Sequence, residues 1–157
     1  MPIPDFVLEL RAMVGHHPLW LPGVTAVVRR DDEILLVQRA DNGAWTPVTG
    51  IPDPGEEPAV AAAREVMEET GVTARVDRFA WTGVIGPVTH PNGDLSTYLD
   101  LTFACTWLAG EGHVADDESR DVAWVRRDLL AEQGVSEAFR ARIDAALSAD
   151  PAAVFRV

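Results

Sequence analysis

The stretch GIPDPGEEPAVAAAREVMEETGV, residues 50–72, carries the most informative pattern in this 157-residue chain. It predicts a helix that begins at Pro58, because proline lacks the N–H that a first turn leaves unpaired, and that stops at Gly71. At about 100° per residue, one arc of this helix carries three carboxylates, those of Glu65, Glu68 and Glu69. The opposing arc is mostly apolar and is predicted to be buried; its members are Ala59, Val60, Ala63, Val66, Met67 and Thr70.

The carboxylate arc has two interpretations. Like charges three and four residues apart destabilise an isolated helix, so the plain alternative is an acidic face exposed to solvent. No lysine is interleaved on that arc to relieve the repulsion. Hard divalent cations such as Mg²⁺ take oxygen ligands, often a few carboxylates together with substrate phosphates. A carboxylate cluster beside a tight turn therefore fits a magnesium site, in which Mn²⁺ could substitute.

Nine residues of this stretch match the Nudix box at every spacing: Gly50, Glu56, Arg64, Glu65, Val66, Glu68, Glu69, Gly71 and Val72. The box is a glycine, five residues, a glutamate, seven residues, and then Arg-Glu-apolar-any-Glu-Glu-any-Gly-apolar. The chain thus resembles the Nudix hydrolases, the MutT-like family. The resemblance implies an α/β fold, an α/β/α sandwich around a mixed sheet in which the catalytic helix follows the Nudix loop.

The resemblance also implies the chemistry, a Mg²⁺-dependent hydrolysis of a diphosphate bond in a nucleoside diphosphate derivative by attack of water. It implies that the metal ligands are the carbonyl of Gly50 and the three helix carboxylates, of which Glu65 and Glu69 are the main ligands and Glu68 is a ligand or a base. Arg64 is implied to orient Glu56 or a helix carboxylate, with a direct phosphate contact as the second choice.

Three residues outside the helix are further candidates. In relatives, the loop that corresponds to residues 109–121 sometimes supplies a ligand or the base, and Glu118 is the candidate here. Arg39 ends the run ILLVQR, as in the family pattern, and is a candidate substrate contact; an ion pair with Asp41 or Glu33 is the structural alternative. Trp45, together with Trp20, is predicted to lie in a loop where a base could stack on it.

One segment departs from the family pattern. Relatives have Trp-x-Leu-Pro-Gly-Gly before the box, whereas residues 45–50 here read WTPVTG. Because threonine is strained where glycine takes a positive φ, the loop geometry before the metal site is expected to differ.

The composition sets limits on function. A formal net charge of −12 argues against binding a nucleic acid polymer, which needs a basic surface, but not against a small phosphate substrate. The single cysteine, Cys105, is predicted to be a buried strand residue, and no disulfide can form within the chain. There is no apolar run long enough to span a membrane and no signal peptide, so a cytoplasmic protein with no membrane partner is expected.

The rest of the chain predicts a single Nudix domain over residues 1–157, with an N-terminal helix or extension in residues 1–20. Within it, residues 4–14 are predicted to be helical, with Asp5 as the cap and Gly15 at the end. Strands are predicted at 24–28, 33–38, 72–84 and 95–108 and in the run VAWV, with a loop at 86–94. A C-terminal helix is predicted at 136–147 with these residues buried: Ala138, Phe139, Ile143, Ala146 and Leu147.

Other functions have less support. The sequence has no GxSxG elbow, no phosphate-binding P-loop and no CxxC pair. The main alternative is a non-catalytic Nudix-fold sensor that binds a nucleotide and regulates a partner, although such relatives commonly lose box carboxylates. A prenyl diphosphate isomerase is a third reading and would carry an altered box. The sequence does not distinguish among nucleoside triphosphates, ADP-ribose, nucleotide sugars, dinucleoside polyphosphates and dinucleotides as the substrate. A homodimer is compatible with the sequence but is not indicated by it.

Overall fold

The computed structural model describes residues 3–157. Its elements in chain order are α1 (Asp5–Val14), β1 (Leu19–Arg30), β2 (Glu33–Arg39), β3 (Trp45–Thr46), β4 (Val48–Gly50), α2 (Pro58–Thr70), β5 (Thr73–Thr89), β6 (Leu95–Ala109), β7 (Ser119–Arg126), a 3₁₀ turn (Arg127–Leu129) and α3 (Glu137–Leu147). The strands, the box helix and the C-terminal helix that the sequence predicts are all present.

The strands form one mixed sheet. Its main order is β3-β2-β1-β6-β5, with β4 paired to β1 and β7 paired to β2. The long central strands β1 and β6 are parallel, whereas β5 and β6 are antiparallel. Because β4 lies beside the middle of β1, the segment that opens the box is fixed against the centre of the sheet.

Each face of the sheet has its own apolar core. On one face, α2 packs over a cluster that includes Val28, Val48 and Phe103, together with the buried thiol of Cys105. On the other face, α3 packs over a second cluster that includes Leu36 and Ile143. The structure therefore confirms the predicted α/β/α arrangement, with helices on both faces of a mixed sheet, and the predicted burial of Cys105.

The predicted buried face of α2 is wrong in part. Glu65 and Glu69 are buried together with Ala61, Ala62, Val66 and Thr70, whereas Val60 and Met67 are exposed. Periodicity predicts which residues share a face of the helix, but it does not predict how the helix is rotated about its axis relative to the sheet. The helix is turned so that two carboxylates face its neighbours in the protein, and part of the apolar arc faces solvent.

Other differences are local. The N-terminal cap of α1 is Pro4, while Asp5 lies in the first turn and Gly15 ends the helix as predicted. Strand β5 continues to Thr89 through a register shift, so the predicted loop at 86–94 shrinks to residues 90–94. The predicted acidic loop at 109–121 is likewise shorter, since β6 reaches residue 109 and β7 starts at 119.

The helix α3 buries a residue that the sequence did not indicate. Arg142 is buried, whereas Ala138 is exposed, contrary to the prediction. The guanidinium of Arg142 lies 4.7 Å from the ring centres of both Trp81 and Phe139, so aromatic faces surround the charge. In residues 3–157 no helix has the length and apolar character needed to cross a membrane.

Candidate active site

The box places a carboxylate directly against the sheet. Gly50 pairs with Val24 of β1. The side chain of Glu65 packs against Gly50 so closely that a Cβ added to Gly50 would lie 2.2 Å from Cδ of Glu65. Glu65 is fully buried, and its Oε2 has no hydrogen-bond partner within the described residues. Because a buried unpartnered carboxylate oxygen is costly, this atom marks where a cationic ligand would be stabilised.

Arg64 links the carboxylates of the box. Its Nε and Nη2 donate to the two oxygens of Glu56 at 2.8 Å each, a bidentate pair. Its Nη1 donates to Oε1 of Glu65 and to Oε2 of Glu68, both at 3.0 Å. The predicted orienting role thus has a geometric basis, since one guanidinium fixes the side chains of three glutamates.

Two of the helix carboxyls are strongly perturbed. Burial raises the pKa of Glu65 to about 7, against the lowering effect of the Arg64 charge. Burial also raises the pKa of Glu69 to about 8, and repulsion from Asp116, Glu65 and Glu118 adds to it. Without a cation, a pKa of about 8 means that Glu69 is mostly protonated at pH 7, and a pKa of about 7 means that Glu65 is protonated in part. A divalent ion at this position would replace the protons and remove the repulsion.

The loop of residues 110–118 is fixed to the end of α2. The N–H of His113 donates to the carbonyl of Thr70 at 3.0 Å, and the N–H of Ala115 donates to that of Glu69 at 3.1 Å. The ring of His113 lies over Gly71, where a Cβ would come within 2.3 Å of its Cε1. These contacts bring the acidic residues of the loop to the carboxylate end of the helix. Nothing in the sequence spacing indicated this attachment.

Arg39 lies at the end of β2, next to the acidic loop. Its Nε and Nη2 donate to Asp41 at 3.0 and 2.8 Å, so the structural alternative, a pair with Asp41, is present. The N–H of Ala40 donates to the carbonyl of Glu118 at 2.7 Å, which ties the end of β2 to the acidic loop. The bond to Asp41 raises the pKa of Arg39 despite burial, and the nearby charges of Glu118 and Glu69 add to this. The structure therefore brings Arg39 and Glu118 to the box carboxylates.

The tryptophan candidates lie elsewhere, and so does His90, a histidine of the loop after β5. Neither Trp20 nor Trp45 is in a loop, since the first belongs to β1 and the second to β3. Trp45 is half-buried and packs against the core under α3, on the sheet face opposite Glu65. His90 is bonded to the hydroxyl of Tyr98 at 3.1 Å rather than directed at the carboxylates.

The carboxylates of the box match the needs of a metal ion only in part. Within residues 3–157, no three His, Cys, Asp or Glu side chains already converge in a geometry that could hold one. Arg64 draws Glu68 toward itself, and Glu68 is largely exposed. Glu65 and Glu69 nevertheless fit a hard divalent cation, because both are buried oxygen donors, one has an unpartnered oxygen, and both repel each other when ionised.

Comparison with known proteins gives the family. The NUDIX domain profile matches residues 19–146. A "MutT-like protein" of Streptomyces ambofaciens is 35% identical over 127 residues, which are 81% of this chain and 75% of that protein. The "NAD-capped RNA hydrolase NudC" of Escherichia coli is 32% identical over 117 residues, 73% of this chain, but the match spans only 42% of that relative.

Solved structures agree with this assignment. A NUDIX hydrolase from Nitrosomonas europaea is 25% identical and superposes with a TM-score of 0.68, over 81% of this chain and 88% of that one. A UDP-X diphosphatase superposes with a TM-score of 0.61 at 20% identity, over 90% of this chain and 70% of that one. Because the sequence identity to the UDP-X diphosphatase is only 20%, this similarity shows a shared fold and nothing about substrate.

Proposed function

Since this chain belongs to the Nudix hydrolase family, we propose that it hydrolyses the diphosphate bond of a small nucleoside diphosphate derivative with Mg²⁺ as its metal. Membership of the family makes it a hydrolase of phosphoanhydride bonds. The identity of the ion, the nucleotide and the roles of individual residues form the proposal. The observation that carries it is the complete box, with Glu65 buried against Gly50 and one oxygen unpartnered.

The metal site would use Glu65, Glu69 and the carbonyl of Gly50, and Glu68 would join after leaving Arg64. A bound divalent cation would neutralise phosphate charge and lower the pKa of the attacking water. This use is supported by their position on α2, which carries the two glutamates one turn apart and buries both of them. Mn²⁺ is the expected substitute because it accepts the same oxygen ligands.

Arg64 would act as a positioning residue. Its four bonds to carboxylate oxygens hold the glutamates in place before substrate arrives. Arg39 would contact a substrate phosphate, since its bonds to Asp41 use Nε and Nη2 and leave Nη1 on the same guanidinium for a further acceptor. Trp45 stays a prediction as a stacking residue, and its place on the opposite face gives it no support.

The proton acceptor has two candidates. Glu68 is on the box helix and pairs with Arg64 at 3.0 Å. Glu118 lies on the acidic loop, held beside Arg39 through Ala40. A ligand and a base give different kinetic effects when changed to glutamine. Loss of a ligand raises the metal concentration at half-maximal rate, whereas loss of the base lowers the maximal rate at saturating metal.

The substrate is proposed to be a free nucleotide rather than a polymer. The net charge of −12 opposes binding of an extended phosphate backbone. The name of the E. coli relative adds NAD-capped RNA to the compounds worth testing beside the free dinucleotides. We expect the free dinucleotide to be accepted before the capped RNA, for the same electrostatic reason. A cytoplasmic location is proposed with this substrate class.

The test follows hydrolysis of a panel of nucleoside diphosphate derivatives in Mg²⁺ or Mn²⁺ by chromatography of the nucleotide products, because cleavage of a diphosphate bond that links two groups gives two phosphate monoesters and no free phosphate; Glu69→Gln is assayed alongside. The panel includes nucleoside triphosphates, ADP-ribose, a nucleotide sugar, a dinucleoside polyphosphate and NADH. We expect turnover of at least one compound and a loss of about 10²-fold or more in Glu69→Gln, whose fold persists. Turnover unchanged in this variant would refute the mechanism. An inert panel with tight binding of one nucleotide would favour the sensor alternative.

A further inference from the structure

The acidic loop, residues 110–118, is held at its start by two tryptophans from the strands on either side of it. Trp107 lies near the end of β6, and its indole N–H donates to the carbonyl of Gly110 at 2.7 Å. Trp124 lies in β7, and its indole N–H donates to the carbonyl of Glu111 at 2.8 Å. An indole donates one hydrogen bond and accepts none, so each ring fixes one backbone carbonyl of the loop.

A guanidinium joins the two rings. The Cζ of Arg30, the last residue of β1, lies 4.1 Å from the ring centre of Trp124 and 5.8 Å from that of Trp107. The same group donates to Glu33 at 3.0 Å and to the loop residue Glu111 at 3.2 Å. A planar guanidinium can stack on an aromatic face and donate in its own plane at the same time. We call Trp107, Trp124 and Arg30 the loop anchor.

The two tryptophans do more than fill space in the core. Both rings pack against the cluster under α2, a contact that requires the rings but not their N–H groups. The N–H groups bond the loop instead. At Gly112, where φ is +87°, the loop also packs so closely on β7 that a Cβ would lie 3.2 Å from Cγ1 of Val122. The start of the loop is therefore fixed by hydrogen bonds and by packing.

The loop continues directly from the anchor to the end of α2. Gly112 alone lies between Glu111, whose carbonyl is anchored, and His113. The N–H groups of His113 and Ala115 donate to the last turn of α2 through the two bonds described above. A displacement of the start of the loop would therefore lengthen or break these bonds.

Charge opposes this position of the loop. The carboxylates of Asp116 and Glu118 repel that of Glu69. Without a cation, this repulsion favours a loop that lies farther from the helix. The hydrogen bonds of the anchor act against it, because they hold the start of the loop whether or not the carboxylates are compensated. A site that is ordered before the ion arrives binds it more tightly, since binding does not have to order the loop.

We propose that the loop anchor positions the acidic loop against α2 in the metal-free protein and thereby raises the affinity of the site for a divalent cation. This inference rests on the proposed function, because it takes the box carboxylates to be metal ligands. Trp107, Trp124 and Arg30 are positioning residues, since they act through the backbone of the loop. A bound ion attracts the carboxylates and holds the loop itself, so the anchor affects metal affinity and leaves the rate at saturating metal unchanged.

The test uses a double variant and a matched control. Trp107→Phe with Trp124→Phe removes the two N–H donors and keeps an aromatic ring at each position for Arg30 and the core. Trp81→Phe makes the same change in a tryptophan that is more deeply buried and stacks on Arg142 of α3, on the other face of the sheet. It should lower the Tm without affecting the acidic loop, and so separates a loss of stability from a loss of loop position.

The first experiment measures binding of Mn²⁺ alone by electron paramagnetic resonance. One net hydrogen bond changes an equilibrium constant by a factor of about 2 to 12, so we expect the double variant to bind Mn²⁺ about tenfold more weakly. For the compound that the substrate panel identifies, the metal concentration at half-maximal rate should rise by a similar factor, with kcat at saturating metal within about twofold of the wild type. Trp81→Phe should bind Mn²⁺ as the wild type does.

Three results would overturn the inference alone: wild-type Mn²⁺ affinity in the double variant, an equal loss of affinity in Trp81→Phe, or a loss confined to kcat. A wild type that binds no divalent ion would refute the proposed function, and the inference with it. The failure of the anchor and the failure of the metal site are therefore distinguishable.

A second experiment needs neither metal nor substrate. Hydrogen exchange of the His113 and Ala115 amides, resolved by NMR in the metal-free protein, reports how often the loop leaves the end of α2. We expect both amides to exchange about tenfold faster in the double variant and at wild-type rates in Trp81→Phe. If the double variant does not fold, Trp124→Phe alone should give about a threefold acceleration. Unchanged exchange of these two amides in a folded anchor variant overturns the inference.

Discussion

The close approach of Gly50 to Glu65 gives the sharpest test of the site. In Gly50→Ala, the new Cβ would lie 2.2 Å from Cδ of Glu65 and 2.3 Å from its Cγ and Oε1. Ordinary contacts are more than 1 Å longer, so the carboxylate or the strand must move. Overpacking a buried site costs about 1–3 kcal/mol, and about 2 kcal/mol lowers the Tm of a protein of this size by about 4–8 °C.

The cost should depend on the glutamate side chain. Glu65→Ala removes all three clashing atoms, so Gly50→Ala in that background should cost less than about 0.5 kcal/mol. The assay is thermal unfolding of the wild type, the two single variants and the double variant in metal-free buffer. Gly23→Ala is the control, because its Cβ on β1 would meet neighbours no closer than 3.6 Å. Equal losses of Tm for Gly50→Ala in both backgrounds would refute the proposed contact.

Three further predictions concern charge and catalysis. The raised pKa values of Glu65 and Glu69, about 7 and about 8, mean that the native state holds their protons more tightly than the unfolded chain, where the pKa is about 4.5. The stabilisation that these two protonated carboxyls provide is complete below about pH 4.5 and is lost as the pH rises through about 8. The Tm of the metal-free protein should therefore fall over this range. A plot of Tm against pH that is as steep for Glu69→Gln as for the wild type would contradict the assignment. Arg39→Ala should raise KM for the substrate by about tenfold or more, whereas Arg75→Ala, which removes a similar pair with Asp77, should leave kinetics unchanged; equal effects would exclude the proposed phosphate contact. Glu118→Gln should lower kcat by about 10²-fold with unchanged metal dependence if it is the base, and an unchanged kcat would leave Glu68 in that role.

The sequence determined the chemistry of this protein to a large extent. The box is local in sequence: it needs a helix with fixed ends and carboxylates at set spacings, and proline, glycine and the charge pattern specify these within residues 50–72. The long strands were predicted from their apolar, β-branched composition and the helices from periodicity, whereas the layers of helices on the sheet were implied by the family resemblance. Such features depend on neighbours along the chain, which is why they can be recognised without the fold.

Only the tertiary structure decided how the parts meet. The rotation of α2, which buries Glu65 against Gly50 and leaves Val60 exposed, depends on contacts between segments that are distant in sequence. The attachment of the acidic loop to the end of α2 through His113 depends on backbone hydrogen bonds, which any residue type can make and which leave no pattern in the sequence. Trp45 shows the same limit, since its side chain could face either side of a strand whose pairing the sequence did not specify. The local sequence pattern identifies the reactive groups, and packing between distant segments determines which of them lie in the same site.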